Sequence, residues 1–216
     1  MLDFGFYNMD CMQGMKQFSD KYFDLAICDP PYGINSQDFS FGKGGGKYHN
    51  KEYMRFDDSE IPPHEYFDEL KRVAKLYIVF GGNYFLSEFE TSKCVLVWDK
   101  GRRGMDYADC EIAITNLDDS SRIFNYLWNG FRQEDMKNKE KRIHPTQKPV
   151  ALYKWILTNY AKAGDKILDT HVGSASSLIA CYDLGFDFVG FEIDGTYYNM
   201  AKARIDEEMA QMRFDL

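Results

Sequence analysis

The 216-residue sequence contains no apolar run near the roughly 20 residues that a membrane helix requires, so no membrane span is expected. Its start, MLDFGFYNMD, lacks a basic segment followed by an apolar one, so no secretory leader is expected either. The five cysteines (Cys11, Cys28, Cys94, Cys110 and Cys181) are odd in number and widely spaced, with no Cys-x-x-Cys pair and no His/Cys cluster. Neither a disulfide framework nor a metal site is expected from them; reduced core thiols in a cytoplasmic protein are. No internal repeat recurs at solenoid periods. Basic residues are in deficit: 26 Lys and Arg against 34 Asp and Glu leave a net charge of −8. Over the whole chain, that balance argues against a nucleic-acid partner.

Apolar material is plentiful. Hydrophobic residues make up 44% and aromatics 16%, enough for a sizeable core in one domain spanning 1–216. Short continuous apolar runs at 24–28, 76–80, 94–98, 110–115, 166–169 and 187–191 suit buried strands of a mostly parallel sheet. Helical spacing appears between them, at 63–75, 149–162, 174–184 and 196–212. Strands alternating with helices predict an α/β sheet domain. Two stretches interrupt the alternation. Residues 33–60, with Gly42-Lys43-Gly44-Gly45-Gly46-Lys47, read as a mobile loop. Residues 116–146 read as a polar insertion between sheet elements, and loops this long in a compact domain tend to carry function.

Four motifs carry chemistry. Asp29-Pro30-Pro31-Tyr32 follows a buried strand directly. As a plain turn it would arise by chance in about one in a thousand chains of this length. A carboxylate and a proline-fixed carbonyl are two acceptors suited to an exocyclic –NH₂ on a nucleobase, a poor nucleophile until its lone pair is freed from the ring. Tyr32 offers an aromatic face on which an extruded base can stack. Ile167-Leu168-Asp169-Thr170-His171-Val172-Gly173-Ser174-Ala175-Ser176 is a strand, a turn of small residues and a helix start, a place where a ligand approaches the backbone closely. Glu192 ends the next strand about 20 residues on, where an acid binds ribose hydroxyls. Together these two imply an adenosine-containing cofactor, and the absence of GxGxxG speaks against NAD. His144-Pro145-Thr146-Gln147-Lys148-Pro149 opens a helix, with Thr146 as a candidate cap and Lys148 as a partner for a carboxylate.

In this combination and order the motifs resemble those of the S-adenosylmethionine-dependent DNA amino-methyltransferases, over nearly the whole chain. Their order, catalytic motif first and cofactor loop last, is similar to that of the circularly permuted beta class. The resemblance implies a Rossmann-like seven-stranded sheet with helices on both faces. It implies S-adenosylmethionine as cofactor and DNA as partner, and a homodimer is common among relatives. Asp29, Pro30 and Tyr32 would be catalytic. Asp10, Cys11, Asp29, Thr146, Lys148, Asp169, His171, Gly173, Ser174, Ser176, Glu192 and Ile193 would bind the cofactor. Residues 116–146 would be a short target-recognition insertion. No Pro-Cys nucleophile pair occurs, which fits direct transfer to nitrogen. Asp at the head of the catalytic motif points to adenine N6. Cytosine N4, an amide nitrogen, RNA, or a non-catalytic nucleic-acid-binding role remain alternatives. The cofactor loop departs from Asp-Pro-Phe-x-Gly-Ser-Gly-Thr at Thr170, His171, Ala175 and Ser176; Ala175 preserves the close approach if its φ stays negative.

The charge is unevenly spread. Residues 43–55 carry four Lys or Arg against one acid, and residues 132–148 carry six against three, so each is locally +3. Lys43, Lys47, Lys139 and Arg142 are therefore expected to meet DNA phosphates.

Overall fold

The computed structural model describes residues 2–34, 58–104, 108–129 and 132–212. The strands are β1 (Gly5–Asn8), β2 (Phe23–Cys28), β3 (Ala74–Phe80), β4 (Val95–Asp99), β5 (Cys110–Thr115), β6 (Arg122–Asn125), β7 (Trp128–Asn129), β8 (Arg132–Gln133), β9 (Lys166–Asp169) and β10 (Asp187–Glu192). The helices are α1 (Cys11–Met15), α2 (His64–Val73), α3 (Val150–Tyr160), α4 (Ser176–Leu184) and α5 (Gly195–Met212). Every apolar run singled out in the sequence is a strand, within a residue or two of its expected ends.

Eight strands form one sheet in the order β1-β10-β9-β2-β3-β5-β4-β6. Only β5 runs against its neighbours; the other pairings are parallel. The sheet thus has one strand more than the seven expected. The addition is β6, inside the stretch expected to be an insertion between sheet elements. It pairs with β4 along Leu96–Asp99, and its Phe124 ring stacks on Tyr126 and meets Trp155. A four-residue strand with two polar ends is too short to stand out by periodicity, and the same holds for β1.

Both faces of the sheet are covered. Ala26, Cys28, Val79 and Leu168 join Tyr66, Phe67 and Leu70 of α2 in one core layer. Leu25, Ile27, Ile78 and Ile167 join Leu152, Ile156 and Leu157 of α3 and Ala180 and Cys181 of α4 in the other. Alternate residues of β2 and β3 therefore serve opposite layers, as the pleat dictates. α2 follows Pro62-Pro63, with Pro63 extended at φ −67°, ψ 161°, and buries Tyr66, Phe67, Leu70 and Val73 on one stripe. Burying each such large side chain contributes roughly 1.5–3 kcal/mol. α2 passes directly into β3 at Ala74.

Because the pairings are parallel, β2, β3, β4, β9 and β10 all end at the same edge of the sheet, and β5, reversed, begins there. That edge carries the functional site, as open α/β sheets generally arrange it.

Candidate active site

A cavity of about 1050 Å³ opens along this edge. Asp29, Pro30 and Tyr32 line one end; Asp10, Cys11, His171, Gly173, Ser174, Glu192 and Ile193 line the other; and Thr146 and Lys148 lie along the wall with Arg142. Most of the residues singled out in the sequence therefore share one cavity, although up to 183 positions separate them.

At the first end, strand β2 stops at Cys28 and the proline pair turns the chain out of the sheet. Tyr32 donates its hydroxyl to Asp29 Oδ1, and Lys148 Nζ donates to Asp29 Oδ2 and, at 3.2 Å, to the Tyr32 hydroxyl. Lys148 is almost wholly buried and lies 2.9 Å from Glu111 Oε2, while Lys100 Nζ sits 2.5 Å from Glu111 Oε1. Two cations and two anions thus form one neutral row, Lys100–Glu111–Lys148–Asp29. Burial raises the Asp29 carboxyl above its usual range against the pull of Lys148. Against its own burial, Lys148 and then Lys100 hold the Glu111 carboxyl down to about 2. The backbone N–H groups of Tyr32 and Gly33 donate to Asp58 Oδ1 at 2.7 and 3.2 Å, which pins the exit of the turn. Gly81, at φ +73°, is required beside it: a Cβ there would stand 2.2 Å from the Tyr32 ring.

Neither Glu111 and Lys100 nor Asp58 was singled out in the sequence. Glu111 carried a signal, as the one charge inside the apolar run 110–115. Lys100 and Asp58 carried none. Nor does Tyr32 offer two open faces, because Tyr84 stacks on it at 5.1 Å and 15°.

At the other end the donors are mainly backbone N–H groups and hydroxyls, with one buried arginine. Gly173 N–H donates to Glu192 Oε2 at 2.8 Å and Asp194 N–H to Glu192 Oε1 at 2.9 Å, which fixes the acid at the end of β10. Asp169 and Ser176 do not line the cavity; both are buried behind its wall. Asp169 accepts bonds from Ser177 Oγ and the His171 N–H, and burial raises its carboxyl to about 7. Ser176 Oγ accepts from Arg204 Nη1 at 2.9 Å; the same nitrogen donates to Ser174 O, and Nη2 to Glu140 Oε2 at 2.7 Å. Thr170 Oγ1 is bonded to Tyr66 OH at 2.7 Å and His171 Nδ1 at 2.9 Å. The two departures at 170 and 171 thus form a hydrogen-bonded chain where the family pattern has Pro and Phe. Burial lowers the His171 pKa to about 4, so its ring is neutral at neutral pH.

Two local expectations are corrected. Ala175 has φ +66°, the left-handed region that costs a residue with a Cβ roughly 1–2 kcal/mol. It is fully buried, and the turn closes over it through Val172 O and the Arg204 contacts. Thr146 does not cap α3. Its hydroxyl is engaged with His144 Nδ1 at 3.0 Å, the cap position is Pro149, and Glu140 Oε1 accepts the Val150 N–H at 3.0 Å instead.

Of the basic residues expected at DNA, Lys43 and Lys47 lie outside the described residues, as does most of the 33–60 loop. Lys139 is exposed. Arg142 points inward, donating to Pro145 O at 2.6 Å and lying over the Trp128 ring.

No helix among the described residues is long and apolar enough to cross a membrane, and these residues contain no group of acids, His and Cys that could hold a metal ion.

Comparison with known proteins identifies the family and the fold. Residues 90–203 match the model of a DNA methylase family that acts on N6 or N4. The type II methyltransferase M.HpaI of Haemophilus parainfluenzae is 25% identical over 92% of this chain and 73% of its own. The M1.HpyAVI–SAM complex superposes with a TM-score of 0.56 at 21% identity, over 92% of this chain and 98% of that one. PvuII DNA methyltransferase, which is cytosine-N4-specific, superposes at 0.60 with 11% identity, over 96% and 92%. With more than half its length matched by that family, the chain belongs to the N6/N4 DNA methylases.

Proposed function

We propose that this protein methylates the exocyclic N6 of adenine at specific sites in DNA, with S-adenosylmethionine as methyl donor. The observation that carries the proposal is the Asp29-Pro30-Pro31-Tyr32 turn at the carboxyl edge of the sheet, one cavity away from the Gly173–Glu192 cradle. The cradle fits the cofactor. A Cβ on Gly173 would meet nothing within 4 Å, so the turn is open to the cavity. Glu192 is held with its carboxylate at the rim, suited to ribose hydroxyls, and the exposed Ile193 beside it offers apolar surface to a purine.

When bound, S-adenosylmethionine supplies an electrophilic methyl carbon whose bond to sulfur breaks with the electron pair staying on sulfur. The protein supplies orientation and charge. A base flipped from the duplex reaches the far end of the cavity. Asp29 and the Pro30 carbonyl accept the amino hydrogens, which turns the nitrogen lone pair out of the ring and toward the methyl carbon. Tyr32, with Tyr84 behind it, presents its remaining face to the base. After the carbon–nitrogen bond forms, the positive nitrogen loses a proton, and the Asp29 carboxylate is the nearest base to receive it. Alignment of the two reactants in one cavity supplies much of the rate. A carboxylate at position 29 supports adenine over cytosine. Lys139, exposed on the insertion, supplies a phosphate contact, and removing it is expected to lower the salt dependence of DNA binding by about one charge.

Transfer of labelled methyl to mixed DNA, followed by nucleoside mass analysis, tests the proposal. N6-methyladenine is the expected product; N4-methylcytosine would overturn the choice of base, and no transfer to DNA would overturn the activity.

A further inference from the structure

The catalytic carboxylate has a difficulty built into it. Asp29 must accept hydrogens from the incoming amino group, yet Tyr32 occupies one of its oxygens and Lys148 the other. A lysine bonded to Asp29 alone would quench the acceptor. Lys148 is not bonded to Asp29 alone: its ammonium is shared with Glu111, 2.9 Å away. The ammonium donates to Asp29 and to the Tyr32 hydroxyl, and it is paired by charge with Glu111.

We propose that Glu111 is a positioning residue for methyl transfer: it shares the charge of Lys148 with Asp29, so that the carboxylate keeps the acceptor strength to take the amino hydrogens of the target base. This role rests on amino-methyl transfer as the reaction. The topology supports it. Glu111 lies at the beginning of β5, the one reversed strand of the main sheet, so its side chain reaches the edge where the other strands end. Its register partner is Trp98 on β4, and Lys100, just beyond β4, closes the far side of the row over the Trp98 ring. Lys148 lies over the Phe80 ring at 4.9 Å, an apolar floor that offers it no other anion. With Glu111 present the row is neutral. Without it the row carries one excess positive charge, and Lys148 has a single carboxylate to satisfy. The charged or titratable groups facing Asp29 are Lys148, Glu111, Tyr32, Tyr153 from α3 and Asp169 at the end of β9.

The sign of the effect follows. Glu111 raises the Asp29 pKa. Glu111→Gln keeps the volume and a hydrogen bond but removes the charge, so the Asp29 pKa falls and its acceptor strength with it. The expected result is a fall in kcat of about tenfold or more, with the affinities for S-adenosylmethionine and DNA unchanged and the acid limb of the kcat profile moved to lower pH. Glu111→Asp restores part of the rate. A wild-type kcat and pH profile in Glu111→Gln would overturn the proposal, and so would a fall in kcat with an unmoved acid limb, which a merely structural role would produce. If Glu111→Gln does not fold, Lys100→Gln decides: it leaves Lys148 as the one cation of the row, shared between Glu111 and Asp29, and the acid limb must move to higher pH. An unmoved or lowered limb would overturn the proposal. Wild-type protein inactive on DNA would refute the reaction itself; active wild type with an unperturbed Glu111→Gln refutes only the role of Glu111.

Discussion

At the catalytic end of the cavity, four ionised side chains from four separate segments meet within hydrogen-bonding distance: Asp29 after β2, Lys100 after β4, Glu111 on β5 and Lys148 before α3. At the cofactor end, a single strand–turn–helix unit and the end of the next strand do the holding, through backbone N–H groups, hydroxyls, one buried arginine and one left-handed alanine. The first end depends on charge balance in a place that water reaches poorly, where removing one partner leaves another unpaired. The second depends mainly on conformation, with one buried ion pair, Arg204–Glu140, behind the turn. One cavity thus contains a chemically demanding half and a geometrically demanding half, and they should fail in different ways.

Asp29→Ala should produce the largest difference between them. Methyl transfer is expected to fall by roughly a thousandfold or more, because the carboxylate is proposed to act on the reacting nitrogen. S-adenosylmethionine binding, measured by calorimetry, should stay close to wild type. Weakened cofactor binding of the same size would mean that the two halves are not separable.

Lys148→Met comes next. It leaves Asp29 and Glu111 facing each other in a buried site, and urea unfolding should report a loss of about 3–5 kcal/mol at neutral pH. A loss below 1 kcal/mol would show the row to be more hydrated than its burial implies.

Arg204→Met attacks the other half. It removes the bonds to Ser174 O and Ser176 Oγ and leaves Glu140 buried without its cation. A stability loss of about 3 kcal/mol is expected, with cofactor affinity weakened by about tenfold and kcat at saturating cofactor nearly unchanged. A kcat effect larger than the affinity effect would contradict the division.

Ala175→Gly should be the smallest change and the only one that helps. Relief of the left-handed strain outweighs the added freedom of the unfolded chain, for a gain of about 0.5–1 kcal/mol in thermal or urea unfolding. A loss of stability would mean that packing of the buried methyl group outweighs the strain.

The same division explains what could be seen in the sequence. The cofactor half is contiguous, so Asp169 through Ser176 and then Glu192 could be read as one unit with a fixed spacing. Even so, the left-handed Ala175 was missed, because an alanine advertises no positive φ. The catalytic half showed only its turn, Asp29 to Tyr32, and Lys148 as a cation seeking a carboxylate. The fourfold row exists because the order of the strands brings residues 29, 100, 111 and 148 together, and nothing local to Lys100 signals that. The strands long enough to show an apolar run were legible; β1 and β6, four residues each, were not, since they are completed by pairing rather than by their own composition. Thr146 misled for the opposite reason: a good capping residue near a helix start was used by His144 instead.

The place of β1 in the sheet has a consequence for how the protein is made. β1 is an edge strand whose sole partner in the sheet is β10, residues 187–192, and β2 waits for β9, residues 166–169, to cover its second side. A ribosome adds about 5–20 residues each second, so the catalytic turn emerges many seconds before the cradle that would bring it a methyl donor. Throughout that interval the nascent chain has an incomplete sheet and no cradle. Methyl transfer therefore cannot begin before β10 has emerged, and truncation anywhere before β10 yields a chain without Glu192, the acid proposed to hold the ribose.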